Sequence, residues 1–223
     1  MIETFYWFQG DTVPWHPGKA VCVGRNYAAH AAELGNAIPD TPLLFIKPDT
    51  AFRHLPGPIV IPGDAGAVHF EGELTLLIGQ TLTRASREQA MAGVAGIALA
   101  LDLTLRDLQS ELKQRQYPWE KAKAFDGSCP VSPFVPLQRD DLLAPWCFQI
   151  TVNDEIRQRG DSRQMIWPMV DLVAEISQHF TLRPGDLVLT GTPAGVGPLH
   201  AGDRLRLQLG HLPAWDVEVV TRS

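Results

Sequence analysis

Apolar residues in this chain fall in short blocks bounded by glycine, proline and acidic turns, with few long helical stripes. Blocks of this kind read as buried strands. Residues 19–24, 43–46, 59–61, 187–190, 205–209 and 215–220 fit the description. Residues 71–78 add a strand after a Gly-rich turn, and 148–152 with 156–159 flank Asn153-Asp154-Glu155, the pattern of a hairpin. Helical spacing is confined to a few segments. Residues 26–34 are alanine-rich and stop at Gly35. Residues 105–116 set Leu105, Leu108 and Leu112 on one face, with Pro118 beyond the end. Residues 166–179 form another helix, and 86–92 a shorter one. Residues 94–105 are apolar and ambiguous between strand and helix, with one acid inside, Asp102. Residues 1–18 are aromatic and irregular, with Pro14 and Pro17, and read as an arm before one domain over 19–223. The pattern predicts a mixed α+β fold of many short strands and few substantial helices.

The sharpest chemical signal lies at the head of the 71–78 strand, His69-Phe70-Glu71-Gly72-Glu73-Leu74. Residues two apart on a strand share a face, so Glu71 and Glu73 project together and Gly72 faces the other way. Two adjacent carboxylates repel unless a cation joins them. Oxygen ligands suit a hard divalent ion, Mg²⁺ or Mn²⁺; a solvated edge strand is the plainer alternative. Asp102 completes a three-carboxylate set, because an acid within an apolar block is costly to bury alone. The plainer reading makes it a helix N-cap.

Composition narrows the partners. The chain has 45% hydrophobic and 20% charged residues, ordinary for a globular protein, and a formal net charge of -6. No basic stripe stands out, which argues against nucleic acid or an anionic membrane as partner. No apolar run has bilayer length, and the N-terminus lacks a secretory pattern. Cys22, Cys129 and Cys147 are scattered without a CxxC pair, which fits a reducing cytoplasm better than a disulfide or zinc scaffold.

Further candidates flank the carboxylates. His30 and Glu33 stand three apart on the 26–34 helix, either an exposed surface pair or a base whose ring the carboxylate fixes. Residues 119–125 alternate like a strand, which would set Lys121 and Lys123 on one face, toward solvent or toward a substrate carboxylate. Arg106 and Gln109 follow Asp102 and can turn toward the same pocket; Arg106 is equally a partner for Asp107. Gly191-Thr-Pro-Ala-Gly-Val-Gly197 exposes backbone N–H groups that can bind an oxyanion, and lacks the marks of a nucleotide loop.

Six stretches together resemble the fumarylacetoacetate hydrolase family, and within it the small acylpyruvase-like members. They are Val23-Gly-Arg-Asn-Tyr-Ala-Ala-His30, Phe45-Ile-Lys-Pro48, His69-Phe-Glu-Gly-Glu-Leu74, Ala100-Leu-Asp-Leu-Thr-Leu-Arg-Asp107, Trp119-Glu-Lys-Ala-Lys-Ala-Phe-Asp126 and Leu189-Thr-Gly-Thr-Pro-Ala-Gly-Val-Gly197. They occur in the family's order over nearly the whole chain. The resemblance implies a β-rich roll of the fumarylacetoacetase C-terminal-domain type with flanking helices, usually a homodimer. It implies Glu71, Glu73 and Asp102 as ligands of Mg²⁺ or Mn²⁺. It implies His30 and Glu33 as a catalytic dyad on a lid over 27–38, with Lys123 also catalytic. Arg25, Lys47, Arg106, Gln109 and Thr192 are expected to bind substrate. The expected activity is Mg²⁺-dependent cleavage of the carbon–carbon bond of an acylpyruvate, of acetylpyruvate or fumarylpyruvate type, giving pyruvate and a carboxylic acid. The same site would serve oxaloacetate decarboxylation or keto–enol tautomerisation, placed second. Hydration or decarboxylation of 2-oxo-dienoates is a third reading.

Overall fold

The two longest apolar blocks pair antiparallel at the centre of the molecule, Gly72 opposite Leu101 and Leu76 opposite Ile97. The computed structural model describes residues 2–33, 35 and 37–222, the last by its backbone alone. In chain order the elements are β1 (Ala20–Gly24), α1 (Ala28–Glu33), β2 (Leu43–Lys47), β3 (Phe52–His54), β4 (Ile59–Pro62), β5 (Val68–Phe70), β6 (Gly72–Ile78), α2 (Arg87–Gly93), β7 (Val94–Leu101), β8 (Thr104–Leu105), α3 (Arg106–Gln114) and α4 (Glu120–Lys123). There follow β9 (Cys129–Val131), β10 (Val135–Pro136), β11 (Cys147–Val152), β12 (Glu155–Asp161), α5 (Met169–His179), β13 (Leu187–Leu189), β14 (Gly197–Leu199), β15 (Arg204–Leu209) and β16 (Trp215–Arg222).

Among the described residues the strands form three sheets. The largest runs β2-β1-β13-β6-β7-β9-β3, with β10 also on β7; the second runs β12-β11-β15-β16-β4; the smallest is β14-β5-β8. The large sheet is buried on both faces. Leu74, Leu76, Ile78, Ile97 and Leu99 pack into the main core, where they meet Phe148, Ile150 and Leu207 of the second sheet. Leu77, Ala98, Ala100, Cys22 and Leu189 pack into a smaller core on the other side, with Phe5, Phe52 and Phe134. Burial on both faces explains why 94–101 carries no alternation. The fold is the β-rich α+β roll that the resemblance implies.

Several elements depart from the sequence expectations. The 94–105 block divides into β7 and β8, with Asp102 and Leu103 between them. The last long helix starts at Met169, three residues late, because Pro168 sits at its N-cap and restricts the residue before it. Residues 119–125 are not a strand: Glu120–Lys123 is a helical turn. Lys121 and Lys123 therefore do not share a face; Lys121 is exposed and Lys123 buried. The arm packs onto the core. Phe5 and Val13 are core residues, and Trp7 bridges to Phe134. The 71–78 strand begins one residue late, since Glu71 lies in the break between β5 and β6. Leu34 and Asn36, within the expected lid, lie outside the described residues.

Candidate active site

The carboxylates meet because the β6–β7 pairing brings their ends together. Asp102 donates its backbone N–H to the Glu71 carbonyl at 2.8 Å, which continues the ladder past Gly72 and Leu101. Glu73 is the second residue of β6, on the face away from Gly72. Gly72 leaves room there for the second sheet: a Cβ would lie 2.2 Å from Ile150 Cδ1, which would have to move aside. One carboxylate oxygen from each of Glu71, Glu73 and Asp102 lies within 4.8 Å of the others, and all three residues are buried.

Cations hold two of the three. Lys123 Nζ donates to Glu71 Oε2 at 2.8 Å, to Asp102 Oδ2 at 2.6 Å and to Thr104 Oγ1 at 2.6 Å. Arg106 also donates to Glu71, and its other amine reaches Gln109 Oε1 at 2.8 Å. Arg106 thus pairs with Glu71 and not with Asp107. Burial alone would raise the Glu71 carboxyl, but Lys123 and Arg106 outweigh it and hold it well below the usual range. Burial opposes the charge on Lys123 too, and Asp102 and Glu71 keep it firmly ionised. Glu73 differs. Its partner is the backbone N–H of Gly191, 2.7 Å from Oε2, and among the described residues no lysine or arginine pairs with it. Burial and the neighbouring Asp102 push its carboxyl well above the ordinary value. A buried all-oxygen cluster with one carboxylate lacking a cation fits a hard divalent ion.

The rest of the constellation surrounds this centre. His30 is buried on α1, and its Nδ1 lies 3.1 Å from Glu33 Oε2. Glu33 Oε1 accepts the Gly195 N–H at 3.0 Å, so the Gly-rich loop and α1 hold each other. His30, Arg25, Arg106, Gln109, Lys123 and Thr192 line one cleft with the three carboxylates. Lys47 does not line it. Its side chain is fully buried behind Asp102, with Nζ 2.8 Å from Oδ1 and hydrogen bonds to Ser128 Oγ at 3.0 Å and the Ser128 carbonyl at 3.2 Å. It anchors Asp102 and the 123–128 turn. Glu33 is also outside the lining and reaches the cleft through His30.

Two groups of residues were not singled out from sequence. Lys113 and Trp119 line the cleft, with Lys113 Nζ 4.9 Å from the Trp119 ring centroid. Lys113 lies four residues after Gln109 and seven after Arg106, a helical spacing that could have found it. Gln158, on β12, accepts from Gly72 N at 2.9 Å and donates to Thr192 Oγ1 at 2.8 Å. Asn26 donates to the Thr190 carbonyl at 2.7 Å. These two tie the carboxylate strand and α1 to the Gly-rich loop across long stretches of chain, where no local signal exists.

The chain matches the fumarylacetoacetate (FAA) hydrolase C-terminal family over residues 19–220. It is 49% identical over 213 residues to oxaloacetate tautomerase YcgM of Escherichia coli (strain K12), which covers 95% of this chain and 97% of that protein. It is 43% identical over 197 residues to the mitochondrial oxaloacetate decarboxylase of Dictyostelium discoideum, covering 86% of this chain and 89% of the relative. The solved fumarylpyruvate hydrolase of Pseudomonas aeruginosa, in complex with Mn²⁺ and pyruvate, superposes with a TM-score of 0.89 at 36% identity, over 98% of this chain and 96% of that one. The six motifs, the β-rich roll and these likenesses agree: the chain belongs to the fumarylacetoacetate hydrolase family.

Proposed function

We propose that this chain is an oxaloacetate tautomerase, interconverting the enol and keto forms of its substrate at a Mg²⁺ or Mn²⁺ centre held by Glu71, Glu73 and Asp102. One observation carries the reading. The buried His30, braced by Glu33, opens on the same cleft as the three carboxylates, which sets a proton carrier beside a centre suited to an oxo acid. A divalent ion supplies Lewis-acid polarisation of the 2-oxo group when bound. Glu33 engages His30 Nδ1, so Nε2 is left to take the proton from C3 of oxaloacetate and deliver it to the 2-oxygen, or the reverse. Lys123 and Arg106 offset the negative charge that gathers on oxygen as C3 loses its proton. Gln109 and Thr192 line the same cleft and orient the acid.

The order of reactions set out from sequence reverses here. Acylpyruvate cleavage stood first, but similarity to an oxaloacetate tautomerase across 95% of the chain favours the oxaloacetate reaction. Cleavage is the second reading, supported by the Pseudomonas fumarylpyruvate hydrolase with its Mn²⁺ and pyruvate. In that case the same histidine would take a proton from water, and the hydroxide would attack the distal carbonyl. A homodimeric assembly, a cytoplasmic location and the division into an arm (1–18) and a catalytic domain (19–223) belong to the same proposal. Incubation with Mg²⁺ and oxaloacetate, acetylpyruvate or fumarylpyruvate, with products followed by NMR, separates the two readings. Accelerated enol–keto exchange of oxaloacetate above that from Mg²⁺ alone is expected. Cleavage of the acylpyruvates without such exchange would make the second reading the right one.

A further inference from the structure

The cleft lining carries two cations, Lys113 and Arg25, to which the proposed reaction gives no part. Arg106, Gln109 and Lys113 stand at i, i+3 and i+7 of α3, share one face, and all line the cleft. Arg106 is engaged with Glu71 and Gln109. Lys113 is half-buried on the face of Trp119. Arg25, at the end of β1, lines the same cleft. Its φ is 61°, in the left-handed region that non-glycine residues seldom adopt, and strained backbone of this kind clusters at ligand sites. Among the described residues its side chain donates to the Ala37 carbonyl, at 3.5 Å. Among the described residues no carboxylate lies within 4.0 Å of Lys113 or Arg25. Burial, together with Arg25, Arg106 and Lys123, outweighs the opposing pull of Glu71 and lowers the Lys113 ammonium from its ordinary value.

We infer that Lys113, seated on Trp119 and assisted by Arg25, binds the distal carboxylate of a dicarboxylate oxo acid and sets a preference for such acids over monocarboxylates. The inference rests on the oxo-acid reading of the inner site. One end of the acid is fixed at the carboxylate centre, beside Arg106. Lys113 starts two turns beyond Arg106 on α3, and a helical stem leans back toward the N-terminal turn, which brings its ammonium into the lining shared with Arg106 and Lys123, where the far end of a short oxo acid would lie. Trp119 covers one side of the ammonium, which holds the stem in place and leaves the remaining N–H groups for a carboxylate.

The test is a binding measurement that needs no turnover. With Mg²⁺ present, 2-oxoglutarate and 2-oxopentanoate share a chain length and an inner end but differ in the distal carboxylate. Calorimetric titration is expected to show the wild type binding the dicarboxylate about tenfold tighter, a typical effect of one charge-assisted contact. Lys113→Met keeps the stem against Trp119 and removes the charge, and should bring the ratio close to unity; Lys113→Arg should restore much of it. An undiminished preference in Lys113→Met, or no preference in the wild type, overturns the inference. The two proposals fail separately. A protein that enolises no oxo acid but loses its binding preference in Lys113→Met sinks the tautomerase reading and upholds the Lys113 subsite. Intact enolisation with an unchanged preference does the opposite.

Discussion

On the proposed reading, Glu73 is the residue at which a proton and a divalent ion would compete. Its carboxyl is pushed up by burial and by Asp102, from an ordinary value of 4.5. A raised folded-state value means that the ion-free folded protein holds more protons than the unfolded chain above that pH. Its stability contribution is therefore complete below the ordinary value and is lost as pH rises through the raised one. Ion binding must expel that proton, so affinity rises with pH. We expect Mg²⁺ to raise the melting temperature more at about pH 8 than at about pH 6, as ion binding linked to proton release requires. Glu73→Gln should remove most of that increment while leaving the ion-free protein folded. An undiminished Mg²⁺ shift in Glu73→Gln would show that the ion sits elsewhere. The carboxylates themselves were legible in the sequence, because two acids at strand spacing and one acid in an apolar block are local facts. The partners were not. Lys123 neutralises Glu71 and Asp102 from a helical turn that reads as a strand, and Lys47 turns out to anchor Asp102 from behind.

At the scale of elements, the Gly-rich loop is the joint of the site. Its Gly191 N–H holds Glu73, its Gly195 N–H holds Glu33, and Gln158 fastens Thr192 between them. Gly195 has φ +98°, and a Cβ there would lie 1.8 Å from the Arg157 carbonyl oxygen. Backbone cannot yield cheaply, so Gly195→Ala should destabilise the protein by about 1–3 kcal/mol and slow turnover as Glu33 loses its support. Gly202 also has a positive φ, +89°, but nothing lies within 4 Å of its Cβ position. Gly202→Ala should lose stability through strain alone and keep the turnover number. Denaturant unfolding and steady-state kinetics on both variants check this; equal losses of turnover would contradict it. Most strands and helices were visible as blocks and stripes. What hid α4 was its length: the Glu120–Lys123 turn is too short to show a helical period, and Lys-Ala-Lys-Ala imitates a strand. The break at Glu71 was hidden because Glu71 and Glu73, two apart, read as members of one strand, whereas β5 ends at Phe70 in the third sheet and β6 begins at Gly72.

For the whole molecule, the sequence carried the composition of the fold but not its pairing. A sheet buried on both faces leaves strands that look alike, and nothing local says that β13 lies between β1 and β6. Motif order supplied the family instead, and with it the roll. The molecule combines a net charge of -6 with a cleft whose lining gathers Arg25, Arg106, Lys113 and Lys123 around three buried acids. On the proposed reading, that arrangement would concentrate positive charge where an acidic substrate enters, with His30, the proposed proton carrier, in the same lining. On the same reading this carrier, braced by Glu33, moves the C3 proton of oxaloacetate. That step is tested most directly by following the decay of enol oxaloacetate in ultraviolet absorbance with Mg²⁺, for the wild type and Glu33→Gln at equal ion occupancy. The account predicts a loss on the order of 10²-fold in kcat for Glu33→Gln, the usual worth of general acid–base assistance, with Mg²⁺ affinity retained. Enol decay equally fast in both proteins, or no faster than with Mg²⁺ alone, would contradict it.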